Sequence, residues 1–169
     1  YELPDHSGNQ EILQVFAYFL SQDRPWNQYY KDEALLKRFE AGLDYYVSLQ
    51  TEEGGFLTGV THTLGDLAGA AGLTLHNIIP GYRMVRDAGI QIDPEVEQKF
   101  INACTKAVDL MIRMTTDRRA WSNQMIFCVD AIAQYINVFG RDDLRDDLDY
   151  LIGLIFEIAQ SPAGYYYEH

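Results

Sequence analysis

The chain has 169 residues, of which 47% are hydrophobic, 13% aromatic and 22% charged, enough to bury a full core in one domain. Its net charge of −12 argues against a nucleic-acid or anionic-membrane partner, both of which call for a basic surface. No uncharged apolar run is long enough to span a bilayer, so no membrane partner is expected.

The apolar periodicity is helical almost throughout. A first helix is predicted from Asn9 to about Ser21, with Ile12, Leu13, Phe16, Phe19 and Leu20 on one face. The loop QDRPWNQYY follows, rich in Pro, Asn and aromatics that could simply cover the ends of the helices. Asp32 then caps a second helix to about Gln50, its carboxylate satisfying free backbone N–H groups. TEEGGFLTG breaks that helix at Gly54-Gly55. A third helical region runs from about Thr63 to Ala88, where Pro80-Gly81 should kink or split it. Asp93 and Pro94 open the fourth, which runs to about Met114. The fifth runs from Ser122 to Gly140, and the sixth from near Asp142 to near Gln160. No strand alternation is present. The expectation is an all-α array of three antiparallel hairpins, at about 9–50, 63–114 and 122–160.

SGNQEILQVFAYFL near the start resembles WSNQMIFCVDAIAQYI later, each placing Asn-Gln at the mouth of an apolar helix. Each is followed by a second helix and a break, SLQTEEGGFLTG in one copy and IAQSPAGYYYEH in the other. A two-helix unit cannot bury its apolar face alone, so such units should stack side by side, the Asn-Gln and Gly-aromatic ends at one edge.

With its NQ helix starts, LDYYVSLQTEEGGF before a glycine turn, and SPAGYYYE after an inner helix, the chain resembles the α/α-toroid carbohydrate-active proteins. These are rings of helical hairpins found among polysaccharide lyases and glycoside hydrolases. The resemblance implies an arc of a toroid, cut from a longer protein whose remainder, or a partner domain, completes the ring. It also implies an oligo- or polysaccharide ligand and an extracellular or periplasmic setting. No cofactor or metal is implied. The alternative is a non-catalytic helical-repeat module that binds or supports.

In toroid lyases a His or Tyr is the base that abstracts a proton beside a carbonyl group, an Asn neutralises the uronate and a Tyr is the acid. On that resemblance His76, Asn77 and Tyr165 are the catalytic candidates. A satisfied structural histidine is the competing reading. Asn9, Gln10, Trp121, Asn123, Gln124, Tyr166, Tyr167 and Glu168 are the candidate sugar-binding residues. Amides offer donors and acceptors to hydroxyls, and tyrosine faces suit pyranose rings. The same amides could instead bond to neighbouring turns, and the tyrosines could be an edge that packs on further chain.

The acidic run at Asp142, Asp143, Asp146, Asp147 and Asp149 has a helical period and reads as a solvated helix start, not a calcium loop. Glu52 and Glu53 fit a helix end with a glycine stop as well as they fit a carboxylate pair. Cys104 and Cys128 sit in apolar helical patterns, which suits buried thiols. A disulfide between neighbouring helices stays open.

Overall fold

The computed structural model describes residues 12–56, 63–117, 122–159 and 163, and they are all-helical apart from turns and one isolated bridge between Gln50 and Phe56. Six helices pack together: α1 (Ile12–Ser21), α2 (Glu33–Ser48), α3 (Leu64–Asp87), α4 (Pro94–Thr116), α5 (Ser122–Phe139) and α6 (Arg145–Leu154). A 3-10 turn at Asp142–Leu144 leads into α6, and a π-helical turn at Ile155–Ala159 follows it.

The helix starts have chemical causes. Asp32 Oδ1 accepts the Leu35 N–H at 2.7 Å, and Asp93 Oδ1 accepts that of Glu95 at 2.8 Å, with Pro94 opening α4. Thr63 and Asp66 form a reciprocal capping box at α3: Thr63 Oγ1 accepts the Asp66 N–H at 3.1 Å, and Asp66 Oδ2 accepts the Thr63 N–H at 3.0 Å.

Of the kink or split expected at Pro80-Gly81, the split does not occur: α3 runs unbroken for 24 residues with Pro80 inside it. Pro80 lacks the N–H that would reach the His76 carbonyl, one hydrogen bond among many. Against that stands the burial of most of α3, from Gly65 to Val85, between α1, α4 and α5. Tertiary packing outweighs local propensity here.

The packing has an order. α3 lies against α1 and α5, while α4 lies against α2 and α6. Contacts between α3 and α5 climb in step: Gly69 meets Gln124, Gly72 meets Phe127 and Cys128, His76 meets Asp130, and Tyr82 meets Phe139. The two helices therefore run the same way. So do α2 and α4, where Glu40 accepts the Asp93 N–H at 2.8 Å and Lys99 reaches Asp44 at 3.1 Å. The Gln50–Phe56 turn docks on α4, with Gln50 Nε2 donating to Ala103 O at 2.8 Å. At its apex Gly54 has φ +100°, and a Cβ there would lie 2.5 Å from the Lys106 carbonyl oxygen, so only glycine fits.

A buried polar link joins α2 to α3 in the core. Tyr46 is fully buried, its ring stacked on Phe56 at 4.1 Å and its hydroxyl 2.6 Å from Thr74 Oγ1. Thr74 Oγ1 donates in turn to Ala70 O at 2.9 Å, so the Tyr46 hydroxyl is the donor of the pair. Thr74→Val removes the only acceptor shown for that hydroxyl. It should cost about 2 kcal/mol, more than the roughly 1 kcal/mol of Tyr46→Phe. Urea denaturation of both variants measures the difference. Cys104 and Cys128 are buried free thiols, with Cys128 Sγ donating to Ala68 O at 3.4 Å.

Candidate functional site

His76 and Asn77 follow one another on α3, and Phe127 and Asp130 stand one turn apart on α5. The parallel packing of the two helices brings all four together. The His76 ring lies 4.9 Å from the Phe127 ring, tilted by 43°. Its Nε2 is 2.9 Å from the Asn77 side-chain nitrogen, and its Nδ1 is 3.6 Å from Asp130 Oδ2. The His76 side chain is 23% exposed and that of Asp130 47%, so the cluster sits at a surface seam.

If the Asn77 amide donates to Nε2, the neutral ring carries its hydrogen on Nδ1, facing Asp130. At 3.6 Å that approach exceeds a hydrogen bond, and it acts as a charge attraction when the ring is protonated. His76 is thus tied to a neighbouring unit as well as to Asn77. It can serve as a base at Nε2 only when Asn77 turns away.

Of the other predicted residues, Asn123 is exposed, and its Oδ1 accepts the Gln124 N–H at 2.8 Å, a local bond at the helix start. Gln124 packs its side chain over Gly69. Gly69 is seven residues from His76, about 10 Å along the helix, so the Asn-Gln start shares the seam with His76 without touching it. Asn9, Gln10, Trp121, Tyr165, Tyr166, Tyr167 and Glu168 lie outside the described residues. In the described part of the first copy, Gln14 and Ala17 of α1 meet α3 at Gly81, near its far end. The acidic run is exposed and partly paired, Asp143 with Arg141 at 2.7 Å and Asp142 with Arg145 at 2.7 Å. The Arg141 partner holds the Asp143 carboxyl below its usual range.

The sequence reading did not single out Asp130 and Phe127. One signal was available: Asp130 is the only charged residue in α5, and a charge on such a helix wants a partner. Among the described residues no three His, Cys, Asp or Glu side chains gather as metal ligands, and no helix is long and apolar enough to cross a membrane. An open cleft of about 740 Å³ at the α3–α4 turn is lined by Glu40, Arg86, Ile90, Asp93 and Glu97. Three of its charged groups are committed to structure, since Arg86 donates to Val138 O, Glu40 accepts the Asp93 N–H, and Glu97 accepts from Tyr82. No protein-family model, curated protein or solved structure matches the chain.

Proposed function

We propose that the chain is a carbohydrate-active domain, an arc of an α/α toroid built from the antiparallel hairpins α1–α2, α3–α4 and α5–α6. The parallel run of α3 with α5, and of α2 with α4, supports two rows of helices of this kind. α1 adds to it. Ile12, Val15 and Tyr18 are exposed on the side away from its buried Leu13, Ala17 and Leu20, and no residue of the helix is charged. A helix apolar all round belongs inside an assembly. The rest of a parent chain, as further hairpins, would cover it.

The observation that carries the functional reading is the α3–α5 seam, where an aromatic face, an imidazole, an amide and a carboxylate meet at a half-exposed surface. In a lyase-like role, sugar binding would draw Asn77 toward the substrate carboxyl and free Nε2 of His76 as the base, with Asp130 steadying the imidazolium. In a hydrolase-like role Asp130 would be one of the two carboxyls required.

A second reading, a non-catalytic binding module, is favoured by the bond that already occupies Nε2 of His76. Incubating the full-length gene product with neutral and uronic polymers separates the two. Release of reducing ends, with ultraviolet absorbance marking elimination, is expected. His76→Ala should slow it by a factor of about 100 or more, the scale of a lost general base. Retention on a polymer without cleavage supports the module. Neither retention nor cleavage overturns the carbohydrate reading.

A further inference from the structure

We propose that the loop between α1 and α2 is a stacking platform for a neutral pyranose ring, with Trp26 as the surface the sugar lies on. The proposal rests on the carbohydrate reading and narrows its substrate class.

The loop is held rigidly. Asn27 is buried in it, and its Nδ2 donates to the carbonyls of Phe19 and Gln22, both at 2.7 Å. Its Oδ1 accepts the Tyr29 N–H at 3.1 Å. Lys31 N–H closes the loop onto Leu20 O at 3.0 Å. Lys31 does so at φ +54°, the only non-glycine residue with a positive φ among those described. A side chain in the left-handed region is held there against its preference. The closure therefore fixes the loop in one shape.

What that shape presents is aromatic. Phe19 is the hub, with Tyr18, Trp26 and Tyr29 set nearly perpendicular to it at 5.8, 6.4 and 5.9 Å. Trp26 is 62% exposed, the most exposed large apolar side chain among the described residues. Edge contact with Phe19 holds the indole while leaving most of its surface in water.

A pyranose with equatorial hydroxyls has an apolar face of axial C–H groups and a polar rim. The first matches an open indole. The second matches the donors and acceptors of the exposed Asp23, Arg24 and Gln28 beside it. A preformed platform loses little conformational freedom on binding. The charge selects the sugar. Asp23 and Arg24 offset one another, the chain carries −12 overall, and Lys31 is turned over the Tyr30 ring at 5.3 Å. Among the described residues of this loop no basic cluster is set to take a uronate, so neutral, flat, β-linked glycans are the class that fits.

Affinity electrophoresis in gels holding hydroxyethylcellulose, xylan or polygalacturonate tests this with the wild type, Trp26→Ala, Trp26→Phe and Asp130→Ala. The side chain is exposed, so both Trp26 variants should keep the wild-type helical circular dichroism. A neutral polymer should retard the wild type, with Trp26→Ala losing about tenfold in affinity and Trp26→Phe only about threefold, the range expected of one aromatic contact. If Trp26→Ala is retarded like the wild type while Asp130→Ala is not, the platform is overturned and the carbohydrate reading stands on the seam. Retardation by polygalacturonate alone overturns the neutral class. Unretarded migration in all three gels overturns the platform together with the reading beneath it.

Discussion

Gly72→Ala should lower the unfolding free energy by about 3 kcal/mol, the upper part of the range for overpacking a core. Gly72 stands at a close approach of α3 to the backbone of α5. A Cβ there would lie 2.7 Å from the Cys128 backbone nitrogen and 2.9 Å from its Cα. Those atoms belong to the backbone of a second helix, so no side chain can swing aside, and α5 must move as a body. Such a shift would also disturb His76 against Phe127, one turn further on. Gly153 of α6 provides the control, because it is exposed and a Cβ there meets nothing within 4 Å. Gly153→Ala should raise stability by about 0.5–1 kcal/mol through helix propensity alone. Urea midpoints shifting in opposite directions for the same chemical change would establish close helix approach as the reason for Gly72. Two shifts of the same sign would overturn it.

The helix boundaries were legible because their causes are local. Asp32, the Asp93-Pro94 pair, Gly89 and Gly140 act within a turn of where they stand, and the helices begin or end there. The course of α3 through Pro80 was not legible, since what keeps that helix whole is contact with α1, α4 and α5, elements distant in sequence. The π-helical turn at Ile155–Ala159 has no pattern of its own, and the helical period reads straight through it.

The site was half legible for the same reason. His76 and Asn77 were found by residue type. Their partners on α5 depend on the register between two helices that touch through glycines. Gly69 and Gly72 set that register, and no periodicity reports it. The resemblance between NQEILQVF and NQMIFCVD also proved a weak guide to height, since Gln14 and Cys128 hold the same place in the two segments, yet Gln14 lies against Gly81 and Cys128 against Gly72. Equivalent positions of the two segments thus stand about 13 Å apart along α3.

The protein should lose stability steeply above pH 9. Cys104 and Cys128 are free and fully buried, and burial pushes both thiols up, Cys128 from 9.0 to about 12. Burial likewise raises the Tyr46 phenol, and burial followed by the bond to Glu97 raises that of Tyr82. In the unfolded chain a thiol ionises near pH 9, whereas in the folded chain it stays neutral. Between those pH values the unfolded state binds fewer protons, so stability falls as pH rises. It is fully present below pH 9. Each thiol contributes a slope of about 1.4 kcal/mol per pH unit, and the Cys128 contribution alone reaches about 4 kcal/mol by pH 12. Two thiols acting together remove about 5 kcal/mol by pH 11, enough to unfold a domain at the lower end of ordinary stability. Urea denaturation at pH 8, 9, 10 and 11 measures the slope. Cys128→Ala should cost about 1 kcal/mol at pH 8 through lost packing, yet flatten the decline above pH 9 by about 1.4 kcal/mol per unit. Curves for the variant and the wild type that stay parallel from pH 8 to 11 would show that the Cys128 thiol ionises as readily inside the fold as outside it.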